Sequence, residues 1–104
     1  MHPAILELKQ QLLDRYGDRL ARFIVFGSYA RGDYTPESDI DIFITLRDTV
    51  DSKTECAVWD MAFEIELGFD VILDVKVYSE DDLQNTLLRV TPFVINVMKE
   101  GCPV

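Results

Sequence analysis

The fold is decided by residues 23–44, which read FIVFGSYARGDYTPESDIDIFI. The four apolar residues at the start have the pattern of a short strand and run directly into Gly27 and Ser28. Ten further residues separate Ser28 from Asp39, and Asp41 follows in a segment where isoleucines alternate with other side chains. Such alternation is typical of a strand with one buried face. The stretch therefore predicts a strand, a glycine turn and a second strand that begins with paired acidic residues.

Helical and strand patterns alternate along the rest of the chain. The predicted elements are a helix over 3–15, strands over 23–26 and 38–46 with a short helix between them, a helix over 52–68, a strand over 69–78, and helices over 79–90 and 93–100. A capping box at 52–55 is expected to start the third helix. We predict an α/β (α+β) fold with a small mixed β-sheet flanked by helices, and residues 1–104 as one domain.

The composition excludes several functions. The net charge is −9, and an acidic surface repels phosphate backbones, so direct binding of nucleic acid is disfavoured. His2 is the only histidine, which excludes a histidine-centred catalytic triad. Cys56 and Cys102 fit neither a disulfide framework nor a metal spacing. With no apolar run long enough to cross a bilayer and no secretory signal, we expect a cytoplasmic protein without membrane contact.

Asp39 and Asp41 are two residues apart on a predicted strand, so their side chains lie on one face. Their oxygens can converge on magnesium, which prefers hard carboxylate ligands and keeps waters and substrate phosphates around it. The alternative is that Asp39 and Asp41 are solvent-exposed residues of a sheet face without a functional role, since the same spacing also fits that interpretation. A functional interpretation is favoured because the next predicted strand places Asp70 and Asp74 on a single face and because a glycine turn lies upstream.

Gly27 allows a sharp turn and the close approach of an anion to the backbone. Ser28 supplies a hydroxyl at a predicted helix N-terminus, and Arg31, one turn further, is within reach of a triphosphate. The alternative is a plain strand-to-helix turn with Ser28 as N-cap. The segment is not a Walker A loop, because no Gly-Lys-Ser/Thr follows it.

Taken together, the run from Phe26 to Asp33 and the later Ser38-Asp39-Ile40-Asp41 resemble the signature of the polymerase-β-like nucleotidyltransferases, which is Gly-Ser, ten residues and Asp-x-Asp. The form Gly-Ser-x-x-Arg-Gly followed by Ser-Asp-Ile-Asp is similar to the minimal nucleotidyltransferase branch. The resemblance implies that Gly27 and Ser28 contact the triphosphate of ATP, and the position of Arg31 adds it to the predicted nucleotide-binding residues. It implies that Asp39, Asp41 and a third carboxylate bind Mg²⁺, with two ions expected. Asp74 is the first choice for that third carboxylate, which would also be the general base, and Asp70 is the alternative.

The resemblance also implies a function. Minimal nucleotidyltransferases occur as antitoxins paired with HEPN-type toxins, and the catalytic version adds AMP to a toxin tyrosine. We therefore expect a protein adenylyltransferase that is the antitoxin of a type VII toxin–antitoxin pair and works in a hetero-complex or homo-oligomer. One alternative is a binding module that neutralises its partner by complex formation alone. A weaker alternative is nucleotidyl transfer to a small molecule.

Overall fold

Five α-helices and four β-strands make up residues 2–104, the part of the chain that the computed structural model describes. The elements are α1 (Pro3–Tyr16), β1 (Leu20–Phe26), α2 (Gly27–Arg31), β2 (Ile40–Leu46), α3 (Ser52–Phe69), β3 (Leu73–Ser79), α4 (Glu80–Asn85), α5 (Pro92–Glu100) and β4 (Cys102–Pro103). Short 3-10 turns lie at Gly17–Arg19 and Leu87–Val90. No helix among these is both long and apolar enough to span a lipid bilayer.

The four strands form one mixed sheet in the order β3-β2-β1-β4. Strand β1 is antiparallel to β2 and to β4, whereas β2 and β3 are parallel. The parallel pair requires a crossover, and α3 supplies it. The mixed sheet with flanking helices confirms the predicted fold class. Strand β4 was not predicted, since two residues carry no readable alternation.

Each sheet face has its own apolar cluster. The isoleucines of β2 point to the face covered by α1 and α3, which is the larger cluster. Phe43 points to the opposite face and packs with residues of α4 and α5. The predicted alternation of β2 is therefore confirmed, but both faces are buried because helices cover both. The larger cluster includes Ile5, Leu8, Leu12, Ile40, Ile42, Ile44, Val58, Ile65, Val75 and Val77.

Strand β3 begins four residues later than predicted. The helix α3 continues through Phe69 and ends at Asp70, which has a left-handed backbone conformation with φ of 54°. Apolar residues alternate from position 69 onward as they would in a strand. The first of them belong instead to the end of α3 and to the turn that follows it. The capping residue of α3 also differs from the prediction, because Asp51, rather than Ser52, accepts the capping hydrogen bond from the Thr54 N–H at 2.8 Å.

The segment predicted as one helix over 79–90 is divided. Ser79 caps α4 as expected, with its side chain accepting from the Asp82 N–H at 3.0 Å. The helix ends at Asn85, and Thr86 accepts a hydrogen bond from the Leu88 N–H to start the following 3-10 turn. A threonine hydroxyl competes with the helix for backbone groups, which explains the break.

Candidate active site

The register of strands β1, β2 and β3 places two predicted site carboxylates side by side. Asp41 lies on the central strand β2, opposite Phe26 of β1 on one side and Asp74 of β3 on the other. Residues in register on neighbouring strands point to the same sheet face, and the strands lie roughly 5 Å apart. The structure therefore brings Asp41 and Asp74 together on one face.

The environment of Asp41 is strongly negative. Burial raises the pKa of the Asp41 carboxyl above its usual value near 3.8, and the charges of Asp74 and Asp39 raise the pKa further. The ammonium of Lys76 opposes them only in part. Asp39 is exposed and lies just before β2. A cation placed among these carboxylates would relieve their mutual repulsion.

Lys76 is a member of the site to which the sequence pattern assigned no role. Its Nζ lies 2.9 Å from Oδ1 of Asp74, two residues before it on β3. The hydrogen bond to Asp74 raises the pKa of Lys76 against the lowering effect of burial. The available signal was the i, i+2 spacing, which puts an acid and a base on the same face of one strand.

Gly27 directly follows β1 and lies against the Asp41 carboxylate. Its φ is +72°, and a Cβ at this position would lie 2.2 Å from Oδ2 of Asp41. The glycine is therefore required by its backbone conformation and by the carboxylate beside it. Helix α2 starts at Gly27 with Phe26 as N-cap and no side-chain cap. Ser28 lies inside the helix, so the N-cap role considered for it does not occur.

Arg31 lies at the end of α2 and is tied by ion pairs rather than free. Its guanidinium contacts Asp33 at 3.3 Å and Glu100 of α5 at 3.5 Å, with both partners largely exposed. Exposed pairs of this kind contribute roughly 0–1 kcal/mol, so a phosphate could displace them. Arg31 also lines a cavity of about 250 Å³ between α2 and α5, together with Phe26, Gly27, Phe93, Asn96, Val97 and Glu100.

Asp70, the alternative third carboxylate, is placed elsewhere. It caps the C-terminus of α3 and precedes β3, so it does not share a strand face with Asp74. Asp70 lines a separate hollow with Pro36, Glu37 and Ser38. The prediction that Asp70 and Asp74 lie on one strand is wrong, because α3 extends to Phe69 and β3 begins only at Leu73.

The carboxylates suit a metal ion that binds together with the substrate, rather than an ion whose ligands all come from the protein. Within residues 2–104, no three histidine, cysteine, aspartate or glutamate side chains are gathered closely enough to hold a metal ion. Magnesium is bound by one or two carboxylates plus waters and substrate phosphates, so the arrangement around Asp41 fits it. Of the three predicted ligands, the structure sets Asp41 beside Asp74, while Asp39 is exposed and lies just before β2.

The chain as a whole is similar to enzymes that transfer nucleotidyl groups. The nucleotidyltransferase domain family matches residues 5–103. The chain belongs to this family, and it is a nucleotidyltransferase. This confirms the family that the Gly-Ser and Asp-x-Asp spacing resembles, and a nucleotide substrate follows from membership.

Two curated relatives are similar over most of their length. A provisionally named protein adenylyltransferase of Methanocaldococcus jannaschii is 40% identical over 98 residues, which are 94% of this chain and 91% of the relative. The protein adenylyltransferase MntA of Thermococcus cleftensis is 31% identical over 86 residues, 83% of this chain and 84% of the relative. Both relatives have nearly the same extent as this chain.

A solved structure has the same fold. The crystal structure of a toxin–antitoxin with AMP-PNP contains a chain that is 26% identical to this one and superposes with a TM-score of 0.58. The match covers 92% of this chain and 68% of that chain. The neighbour shows that a protein of this fold is found with an ATP analogue.

Proposed function

We propose that this chain transfers AMP from ATP to a hydroxyl of a partner protein, a tyrosine of a cognate HEPN-type toxin, and so acts as its antitoxin. The observation that carries the proposal is the strand register that sets Asp41 beside Asp74 and against Gly27. The similarity to protein adenylyltransferases over more than four-fifths of the chain supports transfer to a protein rather than to a small molecule.

In the proposed reaction, the acceptor oxygen attacks the α-phosphorus of ATP. A phosphorus–oxygen bond to AMP forms, the bond to pyrophosphate breaks, and pyrophosphate leaves with the electron pair. The Asp74 carboxylate, on the side of the site away from Gly27, accepts the proton of the acceptor hydroxyl. Gly27 and Ser28 hold the triphosphate where β1 ends, and Arg31 exchanges its pairing with Glu100 for a phosphate oxygen.

Asp39 and Asp41 with Asp74 form the proposed magnesium site, for which we propose two ions. Bound magnesium would neutralise charge on the phosphates and on the leaving pyrophosphate. The raised pKa of Asp41 supports this assignment, because neighbouring carboxylates that repel one another favour a cation.

The test is an incubation of the purified chain with ATP, magnesium and the purified product of the neighbouring gene, which the proposal expects to be a HEPN-type protein. Intact-mass spectrometry should show that the partner gains the mass of one or more AMP groups, and tandem spectra should place them on a tyrosine. A partner that stays unmodified while binding the chain would exclude the catalytic proposal.

Replacing both metal carboxylates separates catalysis from sequestration. The Asp39→Asn, Asp41→Asn double variant should still bind the partner but should no longer modify or neutralise it. If this variant neutralised the toxin as fully as the wild-type chain, complex formation alone would be the function. The same variant incubated without ATP provides the background for both outcomes.

A further inference from the structure

Helix α3 exposes an apolar stripe along one side. Trp59, Phe63 and Leu67 are 46%, 57% and 67% exposed, although α3 packs against the sheet through Val58, Ala62 and Ile65. The three residues are spaced by four, so they follow one another on one helix face. We call these three residues the α3 stripe. Three large apolar side chains in a row on a solvent-facing helix are typical of a surface that is covered by a partner.

The α3 stripe borders a groove that leads to the proposed active site. A cavity of about 410 Å³ lies between α3 and β3, and both Trp59 and Phe63 line it. Asp74 and Lys76 line the same cavity from the strand side. The indole N–H of Trp59 donates to the Val75 carbonyl at 3.1 Å, which fixes the ring against the strand that carries Asp74. An occupant of this groove would lie against the strand that carries the proposed general base.

The groove and the nucleotide turn lie on opposite sides of Asp41. Strand β2 has β1 with Gly27 on one side and β3 with Asp74 on the other. ATP held at Gly27 therefore leaves the β3 side open to a second reactant. The acceptor would approach Asp74 from this side, away from the departing pyrophosphate.

The charge around the stripe selects for a basic partner. No lysine or arginine occurs between Lys53 and Lys76, whereas the same interval contains six acidic residues. Among the described residues, the acidic side chains of α3 form no ion pair, and Asp60 and Glu66 line the groove itself. An apolar centre with an acidic surround is complementary to an apolar patch rimmed by lysine and arginine.

We propose that the α3 stripe with its groove is the docking surface for the acceptor protein, which presents an apolar patch with a basic rim and so brings its hydroxyl to Asp74. This inference rests on the proposed function.

The test compares two double variants in binding to the purified partner protein by calorimetry. Phe63→Ser with Leu67→Ser removes two stripe side chains and should weaken binding at least about tenfold. Leu6→Ser with Leu13→Ser removes two leucines that are 52% and 40% exposed on α1, and should change affinity less than about twofold. The KM for ATP should stay at the wild-type value in both variants.

Charge reversal provides a second measurement. Asp60→Lys with Glu64→Lys should slow association with the partner and flatten its dependence on salt concentration, because steering acts mainly on the association rate. Unchanged affinity in the stripe variant and unchanged association in the charge variant would overturn the proposal.

The outcomes distinguish this inference from the proposed function. If the wild-type chain modifies its partner and the stripe variant does so with the same KM for the partner, docking lies elsewhere and the function stands. If the wild-type chain binds without modifying, the transfer proposal fails, while the affinity comparison still tests docking. If light scattering shows that the chain is a dimer that only the stripe variant disrupts, and partner affinity is unchanged, the occupant is a second copy and the proposal is wrong.

Discussion

The Asp41 carboxylate fills the space that a side chain at position 27 would need. A Cβ on Gly27 would lie 2.2 Å from Oδ2 and 3.2 Å from Cγ of Asp41. Gly27 directly follows Phe26, the last residue of β1, and Phe26 is paired with Asp41, so the sheet holds the two positions together. The orientation of a proposed metal ligand therefore depends on the absence of one methyl group.

Gly27→Ala should displace the Asp41 carboxylate and lower the rate of AMP transfer at least about 100-fold, the cost typical of losing one electrostatic contact in a reaction centre. The added strain of φ = +72° should also lower the free energy of unfolding by about 1–3 kcal/mol. Rates of modification followed by intact mass, and urea unfolding curves, measure the two effects separately.

Gly17→Ala is the matched control for that variant. Gly17 has φ = +54° and lies at the end of α1, where an added Cβ would meet no atom within 4 Å. The free energy of unfolding of the control should fall by about 1–3 kcal/mol, as in Gly27→Ala, while its activity stays at the wild-type level. Equal activity losses in both variants would show that general destabilisation, and not contact with Asp41, is the cause.

Asp74→Asn should abolish transfer because it removes the proposed base and leaves Lys76 without its ion pair. Asp70→Asn should keep more than about half of the activity. Asparagine tolerates the left-handed conformation of position 70, so α3 should still end there. The measurement is the initial rate of partner modification at saturating ATP. The opposite ranking of the two variants would make Asp70 the third carboxylate.

Asp41→Asn should stabilise the ligand-free chain. Burial and the charges of Asp74 and Asp39 raise the pKa of Asp41 in the folded state, so wild-type stability increases as the pH falls from the raised pKa towards the unfolded value near 3.8. At neutral pH the charged carboxylate is therefore unfavourable, and its removal should add about 0.5 kcal/mol after solvent screening.

The same Asp41→Asn variant should lose the response to ligand. A hundredfold excess of magnesium-nucleotide over its Kd should stabilise the wild-type chain by about 2.7 kcal/mol and leave the variant unchanged. Thermal unfolding with AMP-PNP and magnesium measures both effects. A less stable ligand-free variant would contradict the repulsion inferred around Asp41.

Glu80 should give the fold a stabilising contribution that disappears in acid. Burial would raise the pKa of Glu80, but hydrogen bonds from Thr45, Gln84 and Arg22 outweigh burial and lower it. The buried Thr45 hydroxyl donates to Oε2 at 2.6 Å, and the Arg22 Nε to Oε1 at 2.9 Å. A lowered pKa stabilises the folded state above the unfolded value near 4.5, and this contribution is lost as the pH falls through the folded pKa.

Glu80→Gln should therefore be about 1 kcal/mol less stable than the wild type at pH 7, because a neutral acceptor replaces a charged one. The difference should shrink below pH about 4. Glu64→Gln, on the exposed side of α3, is the control and should change stability by less than about 0.5 kcal/mol. The measurement is a set of urea titrations between pH 7 and pH about 4. If the stability difference between Glu80→Gln and the wild type did not change with pH, the charge of Glu80 would not be its cause.

The sequence predicted the elements that carry strong local signals. The face of α1 is confirmed at Ile5, Leu8 and Leu12 because the helical spacing leaves one buried stripe. Helix α5 is confirmed from Pro92 to Glu100, since Thr91 caps it with a proline following directly. The predictions that failed concern the ends of elements. At the start of β3, for example, the alternating apolar residues belong to the end of α3 and the turn after it.

The pairing of strands could not be predicted from local pattern. The contact between Asp41 and Asp74 depends on a parallel register between strands that are separated by all of α3. The spacing of Asp39 and Asp41 predicted one shared face, but it could not choose between Asp70 and Asp74 as their neighbour. The contacts of Lys76 and Arg31 likewise depend on tertiary packing.

Trp59 is the only tryptophan of the chain, and its indole is hydrogen-bonded to the strand that carries Asp74. All tryptophan fluorescence of the protein therefore originates at the edge of the proposed active site. Covering a half-exposed indole with protein shifts its fluorescence emission to shorter wavelength. Binding of a partner to the unlabelled chain can therefore be followed by stopped-flow fluorescence. The molecule contains an optical probe at the place where its chemistry is proposed.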